Sequence, residues 1–206
     1  MKTIAFISQK GGVGKSTLAR ALAVEAQKQK IKVLLADCDI QQATSYEWTK
    51  WRKENKITPF VESQVSNQVK EVWPLVDKYD LVIIDGPART SQATKEIAEK
   101  ADLVIQPVGA SRDDLMPAVK EFNALKKEGI PTKKLLFILN HVGSKAEAEI
   151  GKEYLQEAGY SCLAVVLPEK VSFRLVQNEG KSITEVSYRA LRKQTKKLVE
   201  SILDYV

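Results

Sequence analysis

Residues 8–17 read SQKGGVGKST, and this glycine-rich stretch indicates the fold class more clearly than any other part of the sequence. It follows an apolar run at 3–8 and leads into residues 15–29, whose apolar residues recur at four-residue spacing, so the pattern predicts a strand, a glycine loop and a helix. Backbone N–H groups of such a loop, together with the positive end of the following helix, form a cradle for phosphate. We expect Lys15 to reach the β- and γ-phosphates of a nucleotide and the Ser16 hydroxyl to bind Mg²⁺.

Two features distinguish this loop from the common pattern G-x-x-x-x-G-K-[ST]. Gln9 stands where that pattern has its first glycine, and Lys10 supplies a second lysine ahead of Lys15. A loop that serves one nucleotide needs only one lysine. The second lysine therefore requires an explanation of its own.

The bulk composition narrows the class of protein. A chain of 206 residues, 44% hydrophobic and 28% charged, has an ordinary globular composition and is long enough for one α/β domain. No run approaches the roughly 18 uncharged apolar residues of a membrane span, and the short apolar run after Met1 predicts a strand, not a signal peptide. Cys38 and Cys162 show neither metal-ligand spacing nor a disulfide pattern, so we expect a reduced, cytoplasmic setting.

Short apolar runs alternate with helical patterns along the chain, and no linker or internal repeat is evident. This alternation predicts a single α/β domain over residues 1–206, with a mostly parallel central sheet flanked by helices on both faces. The predicted strands are 3–8, 32–37, 81–85, 103–108, 134–140 and 163–167, and the clearest helices are 15–29, 112–128 and 145–159.

Carboxylates stand at the ends of two predicted strands. The run KVLLAD ends in Asp37, with Asp39 two residues later, and LVIID ends in Asp85, followed by GPA at 86–88. Ligands of α/β sheets bind at the carboxyl ends of the strands, and an aspartate after four apolar residues is typical of a Walker B metal site. For Asp37 or Asp39 taken singly, a cap for the next helix is the alternative interpretation. Together with the loop, these carboxylates predict Mg²⁺-dependent phosphoryl transfer.

These motifs make the chain resemble the ParA/MinD superfamily of dimerising ATPases, which carry a deviant Walker A loop. The short length and Trp48 bring it nearest to the small ParA proteins of plasmid partition, which lack an N-terminal operator-binding domain. The loop of a further matching segment ends in Asp114. The stretches that carry the likeness are KGGVGKST at 10–17, LLADCDIQQ at 34–42, LVIIDGPA at 81–88, ADLVIQPVGASRDDL at 101–115 and LPEKVSFRLVQNEGKSITE at 167–185.

The resemblance implies ATP and Mg²⁺ as cofactors and assigns roles to the matching residues. Lys10 matches the signature lysine that crosses an ATP-bound dimer interface to the partner's phosphates, Lys15 acts in its own site, and Asp39 matches the residue that orients the attacking water. The implied nucleotide-binding residues are Gly11, Gly12, Val13, Gly14, Lys15, Ser16, Thr17, Asn140 and Pro168. The implied Mg²⁺ and water-shell residues are Ser16, Asp37 and Asp85.

Three positions depart from the pattern of the superfamily. Ile40 replaces the usual proline, Gln9 replaces commoner small or asparagine residues, and Lys170 stands where arginine is frequent. None of these changes removes a catalytic group. Ile40 leaves open the geometry of the chain after Asp39.

The last predicted helix is basic along part of its length. Leu191, Thr195, Leu198 and Ile202 form a stripe that is expected to pack on the domain and turn the basic side chains outward. Such clusters bind DNA phosphates without regard to sequence, although a solvated helix face is the alternative interpretation. The candidate DNA-binding residues are Arg189, Arg192, Lys193, Lys196 and Lys197.

The resemblance therefore implies an ATPase that closes into a homodimer on ATP and positions or segregates DNA. It implies ATP-switched binding to non-specific DNA, hydrolysis stimulated by a ParB-like centromere-binding or cargo-adaptor protein, and a cytoplasmic location on the nucleoid in the ATP state. One alternative is a MinD-like membrane-associated ATPase, which needs a terminal helix with a free apolar face. Another is positioning of a protein cargo. A redox enzyme like the nitrogenase iron protein needs cluster-binding cysteines, and neither Cys38 nor Cys162 fits that place.

Overall fold

The computed structural model describes residues 1–87 and 91–205, and it confirms the predicted α/β architecture. Within these residues, seven parallel strands form one sheet in the order β3-β2-β4-β1-β5-β6-β7. The strands are β1 (Lys2–Phe6), β2 (Val33–Asp37), β3 (Glu62–Val65), β4 (Leu81–Asp85), β5 (Leu103–Val108), β6 (Leu135–Leu139) and β7 (Ser161–Cys162). The helices are α1 (Lys15–Lys28), α2 (Thr44–Glu54), α3 (Ser91–Lys100), α4 (Arg112–Lys127), α5 (Lys145–Glu157), α6 (Val171–Asn178) and α7 (Arg189–Leu203). Short 3₁₀ segments lie at Val69–Glu71, Trp73–Lys78, Thr132–Lys134 and Ile183–Glu185.

The order of the strands places the glycine loop in a crevice of the sheet. β1 lies between β4 and β5. The chain leaves β1 toward β2 on one side, and it leaves β4 toward β5 on the other side, so the strand order reverses at β1. The loop after β1 therefore opens at the point where ligands of open α/β sheets bind. In the register of the sheet, Asp37 pairs with Asp85, which brings the ends of two carboxylate-bearing strands to the same level.

Helices cover both faces of the sheet with separate apolar layers. One layer packs α3, α4 and α5 against one face, with Phe122, Phe137 and Tyr160 in mutual ring contact. The other layer packs α1, α2, α6 and α7 against the opposite face. Strands β2, β4, β5 and β6 are buried along their whole length, which explains why their sequences are almost continuously apolar.

The predicted strand at 163–167 is wrong. The chain instead pairs at Ser161–Cys162 and then runs irregularly, although the N–H groups of Leu163 and Leu167 still donate to β6 carbonyls at 3.0 and 2.9 Å. The segment is apolar because Leu163 and Leu167 pack into the core, not because it pairs as a strand. The sequence analysis missed β3 because its residues, ESQV, are polar and alternately exposed at the edge of the sheet.

A buried ion pair fixes α2 to the C-terminal part of the chain. Arg52 is fully buried and donates to both carboxylate oxygens of Glu185, at 2.7 and 2.9 Å, and to the carbonyls of Pro59 and Gly180. Burial raises the pKa of Glu185, but the hydrogen bonds from Arg52 and from the Ser182 N–H outweigh it, and the net shift is downward. Because the charges of Arg52 and Glu185 are paired with each other and with further hydrogen-bond partners, the fold tolerates their burial. The helix that follows Asp39 is thereby anchored.

Gly180 is the point of closest approach in this contact, and its replacement tests the packing. Its φ is +81°, and a Cβ there would lie 2.5 Å from the backbone nitrogen of Arg52. We expect Gly180→Ala to lower the free energy of unfolding by roughly 2–4 kcal/mol, because backbone strain and a clash with main chain add together. Urea denaturation measures the loss.

Gly159 provides the matched control. Its φ is +84°, and a Cβ there would meet no atom within 4 Å. Gly159→Ala should therefore lose only the conformational part, about 1 kcal/mol. Equal losses for the two alanine variants would contradict the close packing of Gly180 on α2.

Candidate nucleotide-binding site

The loop between β1 and α1 has the geometry of an anion cradle. Gly12 and Gly14 have φ values of +75° and +100°, in the left-handed region that favours glycine. Helix α1 begins at Lys15 directly after this turn, and within the described residues no side chain caps its first turn. The first N–H groups of α1 are therefore available to a phosphate, and the helix dipole favours the negative charge.

A cavity of about 190 Å³ lies against this loop and brings together most of the predicted phosphate and metal residues. Lys15 is buried, and its Nζ lies 3.5 Å from the Ser8 carbonyl oxygen. The Ser16 hydroxyl accepts a hydrogen bond from Thr44 at 3.3 Å. The lining residues are Gly11, Gly12, Val13, Gly14, Lys15, Ser16, Thr17, Asp39, Gln42, Thr44, Asp85 and Gly86.

Asp85 is the deepest carboxylate of this cavity. Its burial, followed by the negative charge of Asp37, raises the pKa of Asp85 to about 6, although hydroxyl hydrogen bonds from Ser45 and Ser16 and the charge of Arg20 act in the opposite direction. The Asp85 carboxylate, whose negative charge is unfavourable when buried, and the adjacent Ser16 hydroxyl are together suitable oxygen donors for Mg²⁺. The described residues contain no group of three or more His, Cys, Asp or Glu side chains placed to hold a metal. Phosphate oxygens and water would complete the shell, as is usual for Mg²⁺.

The two remaining carboxylates of the predicted site differ in what they contact. Asp37 accepts hydrogen bonds from the N–H groups of Asp39, Ser45 and Tyr46, at 3.1, 2.8 and 3.0 Å, so it holds the loop and the first turn of α2. This is the capping geometry that the sequence left as an alternative, and Asp37 is not among the residues that line the phosphate cavity. Asp39 does line it and also borders a larger cavity of about 710 Å³ on the outer side.

Arg20 is a buried cation of the site that the sequence analysis missed. From α1 it donates to the Ser45 hydroxyl at 3.2 Å and lies 3.4 Å from the side-chain oxygen of Gln177 on α6. Ser45 in turn donates to Asp85 at 2.7 Å, so Arg20 supplies a positive charge behind Asp85 and Asp37. The available signal was a single arginine within the small apolar residues LARALAVEA.

A second, smaller cavity of about 60 Å³ adjoins the loop and contains the predicted base contacts. Asn140 and Pro168 line it beside Thr17, Phe173 and Gln177. Asn140 is already engaged with the protein, because its Nδ2 donates to the Val13 carbonyl at 2.6 Å and its Oδ1 accepts the His141 N–H at 2.8 Å. One N–H and one lone pair of its amide remain for a nucleotide base.

Lys10 lies apart from the phosphate cavity of its own chain. Its ammonium group forms an ion pair with Asp114 at the start of α4, and its side chain is 57% exposed. Burial raises the pKa of Asp114, but hydrogen bonds from Lys10 and Ser111 outweigh it and lower the pKa overall. The two lysines of the loop thus occupy different places, with Lys15 inside the cavity and Lys10 outside it.

The basic helix α7 has the predicted orientation. Thr195, Leu198 and Ile202 are buried against the domain, and the basic side chains lie on the other faces. Lys196 differs from the rest because it is half-buried and its Nζ lies 4.0 Å from Glu25. The exposed basic residues of the helix are Arg189, Arg192, Lys193 and Lys197.

Comparison with known proteins identifies the family. Residues 4–183 match the model of the CobQ/CobB/MinD/ParA nucleotide binding domain. The chain belongs to this family. It is 26% identical over 185 residues to maintenance of carboxysome distribution protein A of Gloeobacter kilaueensis, an alignment that covers 89% of the chain and 84% of the relative. A 48-residue segment is 60% identical to an uncharacterized protein of Borreliella burgdorferi and spans 23% of the chain and 19% of that relative.

Solved structures of family members share the fold. The cell division ATPase MinD of Pyrococcus furiosus superposes with a TM-score of 0.77 at 21% identity, covering 100% of this chain and 99% of MinD. A putative plasmid partition protein of Borrelia burgdorferi bound to AMPPNP gives a TM-score of 0.74 at 18% identity, covering 100% and 99% of the two chains. Other similar solved structures are the septum site-determining protein MinD of Pyrococcus horikoshii complexed with Mg-ADP and a Cyanothece McdA variant in complex with ATP. Among the described residues of this chain, no helix is long and apolar enough to cross a membrane.

The raised pKa of Asp85 predicts a pH-dependent effect of its neutral analogue. Above pH 6 the folded state carries an unfavourable buried charge, whereas below about pH 4 the carboxyl is neutral in both the folded and the unfolded states. In EDTA and without nucleotide, we therefore expect Asp85→Asn to raise the free energy of unfolding by roughly 2–3 kcal/mol at pH 8. The gain should vanish as the pH falls to 4.

Urea denaturation at the two pH values measures this difference. Asp204→Asn, which neutralises an exposed carboxylate beyond α7, serves as a control and should change the stability little at either pH. An Asp85→Asn variant that is less stable than the wild type at pH 8 would contradict the cost of the buried charge.

Proposed function

We propose that this chain is an ATPase of the positioning type, which binds ATP with Mg²⁺, closes into a homodimer and acts on DNA. The observation that carries the proposal is the separation of the two loop lysines. Lys15 lies in the phosphate cavity of its own chain, while Lys10 is exposed outside it, on Asp114. A cation that does not face its own phosphate is free to serve the phosphate of a second copy.

Hydrolysis in this proposal relies on positioned charge. Lys15 and the first turn of α1 bind the phosphates, and Ser16 with Asp85 holds Mg²⁺, which neutralises developing charge when bound. Asp39 lines the phosphate cavity and is half-buried, so its carboxylate orients the attacking water. Asp37 supports this by holding the Asp39 N–H and the start of α2. Asn140 and Pro168 contact the base in the second cavity.

Binding to non-specific DNA is proposed for the exposed basic side chains of α7. Arg189, Arg192, Lys193 and Lys197 supply phosphate contacts, and Lys196 contributes less because it lies near Glu25. Closing a homodimer doubles this surface, so ATP raises DNA affinity through avidity and hydrolysis releases it. A ParB-like or cargo-adaptor protein stimulates hydrolysis, and the ATP state is associated with the nucleoid in the cytoplasm.

The cargo has two candidates, and one observation bears on each. A solved relative is described as a putative plasmid partition protein, which favours DNA segregation. The relative from Gloeobacter kilaueensis is named for carboxysome distribution, which favours a protein cargo positioned over the nucleoid. A MinD-like membrane role is disfavoured, because the apolar stripe of α7 packs against the domain and is not available to lipid.

Replacing Lys10 tests the action of this lysine across a dimer. We expect Lys10→Ala to abolish stimulation of ATP hydrolysis by the partner protein while ATP affinity changes by less than about threefold, because Lys15 holds the nucleotide in its own chain. Steady-state phosphate release and equilibrium binding of a fluorescent ATP analogue measure the two effects. Lys15→Ala is the comparison and should lose nucleotide binding itself. Unchanged stimulated turnover in Lys10→Ala would overturn the assignment.

Charge reversal on α7 tests the DNA surface. Arg192→Glu with Lys197→Glu should weaken ATP-dependent binding to a labelled duplex of arbitrary sequence at least tenfold, because two phosphate contacts are lost and replaced by repulsion. The affinity should also depend less steeply on salt concentration, because fewer counterions are released on binding. Fluorescence anisotropy at two salt concentrations measures both quantities.

Lys126→Glu with Lys127→Glu is the matched control. This pair makes the same change in net charge on exposed residues of α4, which packs on the opposite face of the sheet. If the two double variants weaken DNA binding equally, the effect is one of net charge and α7 is not the binding surface.

A further inference from the structure

A buried carboxylate lies directly behind the loop segment that carries Lys10. Glu121, on α4, is 7% exposed, and one of its oxygens accepts the Gln106 side-chain N–H at 2.7 Å and the Gln9 backbone N–H at 3.3 Å. The other oxygen of Glu121 has no hydrogen-bond partner among the described residues, and neither has the side-chain oxygen of Gln106. Gln106 is 2% exposed.

Packing does not account for a glutamate at this position. Burial raises the pKa of Glu121, and hydrogen bonds from Gln9 and Gln106 and the charge of Lys15 offset the rise only in part. A buried polar atom without a partner is unfavourable, and apolar side chains of similar volume in place of both Gln106 and Glu121 would avoid that cost. Its neighbours on the helix, Val119 and Phe122, are buried apolar residues. The carboxylate therefore points to a task other than filling the core.

The task is suggested by what Glu121 shares with Asp114. The two carboxylates are seven residues apart on α4, which places them on one face of the helix. They line one small cavity of about 30 Å³ together with Gln9 and Lys10. Asp114 binds the side chain of Lys10, and Glu121 binds the backbone one residue before it.

The Gln9–Lys10 segment is thus held at three points. The Ser8 hydroxyl accepts the Lys10 N–H at 3.1 Å, Glu121 accepts the Gln9 N–H, and Asp114 holds the Lys10 ammonium group. The first two contacts fix the backbone, while the third is an exposed ion pair, which is weak and readily exchanged. If the backbone at Gln9–Lys10 stays fixed while the Lys10 ammonium group exchanges partners, the backbone limits the positions that this ammonium group can reach.

We propose that Glu121 is a positioning residue for Lys10. By holding the Gln9 N–H, it fixes the direction in which Lys10 leaves the loop, so that the ammonium group can pass from Asp114 to the phosphates of a second copy. This inference rests on the proposed action of Lys10 across the dimer. It assigns the buried glutamate to that step and not to nucleotide binding within one chain.

The test compares dimerisation with nucleotide binding in variants of Glu121. All variants are made in an Asp39→Ala background, in which slow hydrolysis keeps the ATP state. Glu121→Leu removes the acceptor, and Glu121→Gln retains one acceptor oxygen. We expect Glu121→Leu to weaken ATP-dependent dimerisation at least tenfold in analytical ultracentrifugation, while the affinity for fluorescent ADP changes less than twofold. Glu121→Gln should restore most of the dimerisation.

A double variant separates positioning from a general structural effect. Lys10→Ala with Glu121→Leu should dimerise no more weakly than Lys10→Ala alone, because Glu121 acts through Lys10. Because Glu121→Leu leaves the buried Gln106 amide without its acceptor, its unfolding free energy should fall, and dimerisation is compared under conditions in which the variant and its parent are both fully folded. If Glu121→Leu does not fold, Glu121→Met, which fills a similar volume, is measured against the same criteria.

The outcomes are distinct. Dimerisation unchanged in Glu121→Leu, or lost in parallel with ADP affinity, would overturn the positioning role, and so would additive losses in the double variant. If Lys10→Ala itself dimerises like its parent, the proposed action of Lys10 fails first. A defect in Lys10→Ala together with none in Glu121→Leu would leave the proposed function standing and refute this inference.

Discussion

Negative charge buried at the carboxyl edge of a parallel sheet is the constraint around which the site is organised. The register of β2 and β4 sets Asp37 beside Asp85, and neither side chain is exposed to solvent. Two carboxylates cannot be buried side by side without compensation. Asp37 is compensated by the first turn of α2, and Asp85 by Ser45 with the Arg20 guanidinium behind it. What remains uncompensated on Asp85 is the charge that a hard cation would neutralise.

The compensation of Asp37 and Asp85 also connects these carboxylates to the C-terminal part of the chain. Arg20 reaches Gln177 on α6. The guanidinium groups of Arg20 and Arg52 both lie near the Trp48 ring, 5.6 and 5.4 Å from its centroid. Arg52 continues the contact to Glu185, just ahead of α7. A series of hydrogen bonds and cation–π contacts thus connects the carboxylates to the segment that leads into α7, the helix with the exposed basic residues. In the proposed function, these contacts hold the nucleotide site and the DNA-binding surface of α7 in a fixed position relative to each other.

Several elements were predictable because a local pattern determined them. The glycine loop and the strands ending in Asp37 and Asp85 were confirmed, since glycine spacing and continuous apolar runs are properties of the sequence itself. The strand at 163–167 was wrong, and β3 was missed, because apolarity reports burial and cannot distinguish pairing from packing. Ala88, quoted with the Walker B run, lies outside the described residues. The predicted roles of the individual site residues stay predictions.

Residue types and their spacing were enough to indicate the class of chemistry, through a phosphate loop, carboxylates at strand ends and a second lysine that one nucleotide does not need. Those features are visible because each depends on residue type and short spacing. The three-dimensional contacts were needed to show which carboxylates face the cavity, that Asp37 accepts hydrogen bonds from the backbone of α2, and that Arg20 supplies the internal cation. They also showed that Lys10 lies on Asp114 while Glu121 holds the backbone behind it. The contacts of Gln9 and Lys10 with α4 join residues more than one hundred positions apart in the chain. No local pattern specifies them, because they follow from how α4 packs beside the loop.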